Sequence, residues 1–260
     1  MAPARFAATR VALEAEFSEP ITVDGLTGSW FIFQRARGHR HSVDDVLTAH
    51  YALQVSPEVA THLDLGAGIG TVGLLVLWGM PRETTLTALE AQAMSHRLLL
   101  ANVATNDLGA RVRALHGDLR EFAGPERFPL ITGSPPYFPV SAGIVPQDSQ
   151  KAHARFELRG DVSDYAKAAA RLLTPNGWFV FCFPTPQKQR ALDALAGAGL
   201  RLARLQDVIP REGLAPLFSL FACRLVGDAA SAIVDAPLVV RTFDGAVSVA
   251  MSAVRRGFGF

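Results

Sequence analysis

Lysine is almost missing from this chain: only Lys151, Lys167 and Lys188 stand among its 25 basic residues, and the rest are arginine. Arginine offers a planar fork for phosphates, although a GC-rich coding bias would give the same skew. Neither sign of charge is in excess, since 25 basic and 24 acidic side chains leave a net charge of +1. No global positive field marks nucleic-acid binding, so any anion site has to be local. Cysteine is scarce too. Cys182 and Cys223 each sit in an apolar segment, which predicts buried thiols in a reducing, cytoplasmic setting. Without histidine pairs near them, no zinc or other metal site is expected. The longest apolar run, Val72 to Met80, falls short of the roughly 18 residues that span a bilayer. Residues 1–17 lack the continuous apolar stretch of a secretory signal. What is present is 260 residues, 49% of them hydrophobic. That is enough to bury the core of one large α/β domain with short additions, and too much for intrinsic disorder.

From Thr61 onward short apolar runs alternate with helical patterns. ATHLDL is followed by TVGLLVLWG, TTLTALE by AQAMSHRLLLANVATND, and RVRALHGD and PLITGS by VSDYAKAAARLL, GWFVFCFP and QKQRALDALAGAG. Strands separated by helices predict a doubly wound, mostly parallel sheet with helices on both faces. After Gly199, LRLARLQDVIP and LFSLFACRLV are joined by a turn containing Gly213 and Pro216, which predicts an antiparallel pair at the sheet edge. Asp24-Gly25 and Asp244-Gly245 are hairpin signals near the two ends. The expected division is therefore residues 1–44 as a hairpin and entry segment, 45–226 as the central fold, and 227–260 as a C-terminal hairpin extension.

Asp64-Leu65-Gly66-Ala67-Gly68-Ile69-Gly70 lies between an expected strand and helix, where glycines let backbone approach a ligand closely. Gly68, Gly70 and Gly73 fit the dinucleotide pattern G-x-G-x-x-G, with Glu90 as ribose acceptor. The pattern acidic-x-Gly-x-Gly-x-Gly, which takes in Asp64, resembles the first motif of S-adenosylmethionine-dependent methyltransferases. That resemblance implies that Asp64, Gly66, Ala67 and Gly68 pass the amino-acid part of the cofactor, that Glu90 holds the ribose hydroxyls, and that Asp118 lies near the adenine. Glu90 and Asp118 also read as ordinary residues that end strands and cap helices.

Ser134-Pro135-Pro136-Tyr137-Phe138 falls where a fourth strand should end. Consecutive prolines make a stiff segment without N–H donors, and at the carboxyl edge of a parallel sheet it faces the ligand crevice. The tetrapeptide resembles the [Asp/Asn/Ser]-Pro-Pro-[Tyr/Phe/Trp] motif of methyltransferases acting on adenine N6, cytosine N4 or a glutamine amide. Such a nitrogen is a poor nucleophile because its lone pair is delocalised. Two acceptors, the Ser134 side chain and the Pro135 carbonyl, would hold its N–H bonds and favour the positive charge that builds in the transition state. Pro136 stiffens the corner, and Tyr137 would stack on a base.

Beyond the motifs, ARFELRG, LLTPNGWF, IPREGLAPLFSLFACR and the upstream RGHRHSVDDVLTAHYA are similar to the bacterial tRNA(Val) adenine-N6 methyltransferase family, over roughly residues 20–250. The resemblance implies a seven-stranded Rossmann-like methyltransferase sheet, S-adenosylmethionine as cofactor and an RNA substrate, most simply a tRNA, with no oligomeric state implied. Phe138 would meet that substrate, and a loop between Pro139 and Gly160, with Lys151, His153, Arg155 and Arg159, would cover the base and clamp phosphates. Arg35, Arg37, His39, Arg40 and His41 would approach from the other side, and a solvated basic face explains both clusters as well. Asp44 and Asp45 read either as pocket residues or as helix-capping ones. The family carries Asn where this chain has Ser134, which keeps cytosine N4 and protein glutamine N5 open as target amines. An inactive RNA-binding scaffold and a dehydrogenase are the readings from other classes.

Overall fold

The computed structural model describes residues 4–139, 147–227 and 231–260, without the side chains of His153 and Arg155. Helix α1 (Ala4–Phe17) leads into an antiparallel pair, β1 (Ile21–Gly25) and β2 (Phe31–Arg35), and then α2 (Val43–Val55). The expected alternation follows: β3 (Thr61–Leu65), α3 (Thr71–Gly79), β4 (Thr85–Glu90), α4 (Ala93–Thr105), β5 (Val112–His116) and β6 (Phe128–Gly133). After α5 (Ser149–Arg155) and α6 (Val162–Leu172) come β7 (Leu173–Pro184), a short 3-10 turn (Thr185–Gln187) and α7 (Lys188–Gly197). The chain ends with β8 (Leu200–Ile209), β9 (Phe218–Leu225), β10 (Ile233–Val239) and α8 (Val249–Gly257).

The main sheet has the order β10-β8-β9-β7-β6-β3-β4-β5, and only β9 runs against its neighbours. Its inner strands β3, β4, β6 and β9 are buried on both faces, as strands between helices must be, while the edge strands β5 and β10 are partly exposed. On one face Leu74, Leu75, Leu98, Val180 and Leu220 share a core, and on the other Leu63, Leu65, Ile131, Phe181 and Phe221. Phe179, Phe181 and Phe221 stack at centroid spacings of 4.9 and 4.8 Å. The two buried polar residues of β3, His62 and Asp64, meet Thr132 inside the first core, while His62 Nδ1 has no hydrogen-bond partner among the described residues. The Thr132 hydroxyl donates to Asp64 Oδ1 at 2.7 Å, so His62 Nε2, 2.8 Å from the same oxygen, has to be the donor there. Burial pushes the His62 ring down to about 3, which keeps it neutral.

Four expectations are corrected. The sheet has eight strands rather than seven, because IVDAPLV adds β10 parallel to β8 at the edge. The C-terminal hairpin is not formed: Asp244-Gly245 closes a single bridge, Arg241 to Val247, and Ser248 then accepts the Met251 N–H and starts α8. At the N-terminus the hairpin exists, but Asp24 and Gly25 lie within β1, Gly25 pairs with Phe31, and α1 precedes it. Residues 149–155, expected as loop, form α5, whose Asp148 cap accepts the Lys151 N–H at 2.9 Å. Among the described residues no helix is long and apolar enough to cross a membrane.

Candidate active site

The strand register gathers the site. The chain runs from β3 outward to β4 and β5, then returns to β6 on the other side of β3. Ligands of open α/β sheets bind at the carboxyl ends of strands where the order reverses in this way. Leu65 pairs with Leu89 on one side and with Gly133 on the other, Glu90 pairs with His116, and Gly133 pairs with Phe181. Gly66, Glu90 and Ser134 therefore stand at one level of the sheet edge, and Asp118 follows just past β5. They surround a cavity of about 360 Å³ lined by Asp64, Gly66, Ala67, Gly68, Glu90, Asp118, Arg159 and the whole run Ser134 to Phe138.

The loop half of the cavity is tightly made. Gly66, Gly68 and Gly70 have φ of 62°, 58° and 97°, left-handed values that favour glycine. A Cβ on Gly66 would collide with the Tyr165 hydroxyl, whereas one on Gly68 would meet nothing within 4 Å, so Gly68 offers open backbone to the cavity. Asp64 reaches under the loop and accepts the Gly73 N–H of α3 at 3.0 Å, which satisfies one orphan donor of the helix start. Burial pushes the Asp64 carboxyl up to about 6. Glu90 accepts the Gly68 N–H at 2.8 Å and the Gln92 N–H at 2.7 Å. Its pKa is raised by burial, against these two bonds and the nearby Arg159 and His116. A carboxylate has about four acceptor positions, so about half of them remain for a ligand. Asp118 is different: its ion pair with Arg120, at 2.6 Å, holds its carboxyl below the usual range.

The proline half is held from behind and open in front. The Tyr137 carbonyl accepts from Gln187 Nε2 at 2.9 Å, and its ring meets Phe183 edge-on at 6.0 Å. Among the described residues the Pro135 carbonyl accepts no hydrogen bond. A chain of contacts runs from Ser134 Oγ to Cys182 Sγ (3.6 Å), on to the Tyr137 hydroxyl (3.2 Å) and to Asp44 Oδ2 (2.9 Å). Its direction follows from its last member. Tyr137 donates its one hydroxyl proton to Asp44, so the Cys182 thiol donates to Tyr137, and Ser134 donates to Cys182. Ser134 is thereby left with its lone pairs as the free part of the hydroxyl. Burial raises the pKa of both intermediate groups, Tyr137 well above its ordinary value and Cys182 to about 12, so both stay protonated.

A third wall comes from α5. Arg35, buried, forms an ion pair with Glu19 and another with Asp148 at 2.7 Å, and donates to Gln150 Oε1 at 3.3 Å. Gln150 donates to Ser95, Ser95 donates to Gln92, and the Gln92 N–H reaches Glu90. The β1–β2 hairpin is thus wired to the carboxylate on the cofactor side.

Of the residues expected to form the site, Lys151 is not among those lining the cavity. The side chain of Arg155 and residues 140–146 of the expected covering loop lie outside the described residues. Arg159 lines the cavity and donates to the Ala91 carbonyl at 2.8 Å. Asp44 and Asp45 both line the cavity, and Asp45 also serves the Ser42 capping box. Among the lining residues not anticipated are Tyr165, Gln92, Ser95 and Gln150. His41 also lines the cavity, with a buried Nδ1 that has no hydrogen-bond partner among the described residues. No motif spacing announces Tyr165 or Gln150, which arrive from helices away from the motifs, while Gln92 and Ser95 follow closely after Glu90.

A doubly wound sheet with one antiparallel strand, a glycine loop after its first strand, an acidic residue ending the second and a Pro-Pro-Tyr corner in the same cavity has the layout of a Rossmann-like methyltransferase, and solved structures share the fold. One is the T. thermophilus 16S rRNA N2 G1207 methyltransferase in complex with AdoMet and guanosine. It has a TM-score of 0.57 and 16% identity, with 79% of this chain and 50% of that one covered. The family model described as "Methyltransferase small domain" matches residues 45–152. A tRNA1(Val) (adenine(37)-N6)-methyltransferase of Vibrio parahaemolyticus is 30% identical over 173 residues, covering 66% of this chain and 70% of the relative. A release factor glutamine methyltransferase of Bordetella pertussis is 33% identical over 205 residues, covering 68% and 70%. The chain belongs to the methyltransferase small-domain family, an S-adenosylmethionine-dependent one. It spans 64% of the length of three further relatives that carry the tRNA1(Val) name.

Proposed function

We propose that this protein is a cytoplasmic enzyme that methylates the exocyclic N6 amine of an adenine in RNA, with a tRNA as substrate and S-adenosylmethionine as methyl donor. One observation carries the reading: the Ser134-Pro135-Pro136-Tyr137 corner and the Gly66–Glu90 side of the cavity leave neighbouring strands at one level and line the same space. The residues fit the cofactor. Glu90 keeps acceptor positions for two ribose hydroxyls, Gly68 leaves room for a close approach, and Leu89, Ile69 and Leu119 supply apolar surface beside Asp118 for the adenine ring. The cofactor supplies a methyl group made electrophilic by its sulfonium.

The residues of the proline corner then act on the target. Ser134 Oγ and the Pro135 carbonyl accept the two amine N–H bonds and aim the nitrogen's lone pair. As the carbon–nitrogen bond forms, these fixed acceptors stabilise the growing positive charge more than they stabilise the neutral amine. The methylated cation is acidic enough to lose its proton to water, so no strong base is needed. Tyr137 packs against the base, and such stacking is worth about 1–3 kcal/mol. The target has to be unpaired or flipped out, because a paired amine has no path to the cavity.

A second reading has its own support. The 33% identity to a release factor glutamine methyltransferase favours a protein amide with the same geometry of acceptors, and Ser134 suits a cytosine amine as well. Incubation with labelled cofactor and, in parallel, unmodified tRNA1(Val) or a release factor separates them. Label in N6-methyladenosine is the expected result. Label in methylated glutamine or N4-methylcytosine instead would replace the adenine reading.

A further inference from the structure

The sheet edge that carries the cavity continues past the proline corner into a second surface. β7, β8 and β10 all end at this edge and β9 begins there. Hydrogen bonds carry the connection outward. Gln187 holds the Tyr137 carbonyl, the Thr185 N–H donates to Leu217 O at 3.1 Å, and the Leu217 N–H donates to Val208 O at 2.9 Å. The Glu212 N–H then donates to Arg241 O at 2.9 Å, and the Phe243 N–H to Glu212 Oε2 at 3.2 Å. Residues 210–217 and 240–248 thus form one rim continuous with the corner. From β7 to β10 it extends over three strand spacings, about 14 Å.

The rim is apolar where proteins are usually polar. Phe243 is 79% exposed, Leu217 58% and Leu214 56%. The Phe243 ring lies beside the backbone of Gly213, at 3.9 Å from where a Cβ would stand. Its carboxylates are engaged by the turns themselves: Glu212 accepts the Phe243 N–H, and Asp244 accepts the Thr242 hydroxyl and the Ala246 N–H. Arg211 and Arg241 pair with no carboxylate among the described residues, and Arg241 uses one nitrogen on the Gly245 carbonyl at 2.8 Å. An exposed phenyl ring flanked by two guanidinium forks with free donors matches a π-faced base between phosphates. It matches an apolar protein segment less well, since that would leave both forks desolvated and unpaired.

We infer that residues 210–217 and 240–248 dock unpaired nucleotides flanking the target base, with Phe243 stacking on a base and Arg211 and Arg241 pairing with phosphates. This rests on the reading of the chain as an RNA methyltransferase and extends its footprint outward from the cavity.

The test uses the full chain and fluorescein-labelled, unmodified tRNA1(Val) transcript, with binding followed by anisotropy between 50 and 200 mM salt. Phe243→Ala and Phe243→Leu should each weaken binding about tenfold; the leucine keeps apolar area and loses the ring. Arg211→Gln with Arg241→Gln should weaken binding and lower the salt slope by roughly 1.4 to 1.8, the contribution of two phosphates. Cofactor affinity by calorimetry should match wild type in all variants, which shows that fold and cavity are intact. Wild-type tRNA affinity and salt slope in every variant would overturn the rim while leaving the RNA reading in place. Absence of tRNA binding by the wild type would overturn both. Loss of release-factor binding in the variants with tRNA binding intact would give the surface to a protein and overturn the proposal.

Discussion

The two halves of the cavity are built on opposite plans. On the glycine-loop side, Asp64 and Glu90 are buried and already bonded to the Gly73, Gly68 and Gln92 N–H groups, so the fold itself fixes their positions. On the proline side, the Ser134 lone pairs and the Pro135 carbonyl border the cavity without a bond to the protein. Half of the site is finished by folding and half is left for a target to complete. A finished half suits a cofactor that every turnover uses. Unmade bonds on the other side suit a group whose charge changes during reaction, because preorganised acceptors act most strongly where charge develops.

The comparison breaks most visibly at Glu90. Glu90→Ala removes a buried carboxylate that would serve both the loop and the ribose; with charge-assisted bonds worth about 1.5–3 kcal/mol each, cofactor affinity should fall at least roughly a hundredfold by calorimetry. Unchanged affinity would place the cofactor elsewhere. Tyr137→Ala should lower methyl transfer to tRNA roughly ten- to a hundredfold while cofactor affinity stays at the wild-type level. A parallel fall in both would erase the distinction between the halves.

A third effect is one of pH. The Asp64 carboxyl is raised by burial to about 6 from 3.8. The folded state therefore holds this proton more tightly than the unfolded chain, and folding is favoured in acid. Stability from this group falls as pH rises from about 4 to 6 and stays lower above that, by about 3 kcal/mol at 1.36 kcal/mol per pH unit. Other carboxylates shift too, Glu90 upward and Asp24 and Asp118 downward, so the informative quantity is the difference between wild type and Asp64→Asn in urea unfolding at pH 4, 5, 6 and 7. The wild type should lose stability relative to the variant across that interval. A constant difference would show that Asp64 is not a buried, strained carboxyl.

The smallest effect concerns the direction of the Ser134 hydroxyl. Asp44→Asn lets the end of the Tyr137–Cys182 chain donate as well as accept, so the Ser134 lone pairs are no longer uniquely presented. A decrease of roughly tenfold or less in kcat, with KM for tRNA nearly constant, is expected from about 1 kcal/mol of lost alignment. An equal change in KM alone would mean that Asp44 binds the target instead of orienting the acceptor.

The alternation from Thr61 to Gly199 was legible because parallel strands and their helices differ in period, and the glycine loop and proline corner because they follow strand ends directly. Helix α1 escaped notice for the opposite reason. Only Phe6 and Leu13 of its 14 residues are buried, so its signal is the helix propensity of Ala, Leu, Glu and Arg and not an apolar stripe. β10 was hidden by Pro237, which breaks a strand pattern yet is tolerated at a sheet edge. VSVAM looked like a strand by alternation, and the Ser248 cap turned it into a helix start. Within the site, Tyr165 and Gln150 reach the cavity from helices whose placement depends on packing, and Asp44 contacts Tyr137 across 93 positions. Such contacts leave no mark in local spacing.

The central claim is that the proline corner presents an amine to the methyl carried by the glycine-loop side. Its most direct test is a single incubation of the protein with tritiated S-adenosylmethionine and unmodified tRNA1(Val), followed by digestion to nucleosides and chromatography. Tritium in N6-methyladenosine with the wild type, and its loss with Tyr137→Ala of undiminished cofactor affinity, is the predicted result. Equal labelling by wild type and Tyr137→Ala, or no label in any nucleoside, would contradict it.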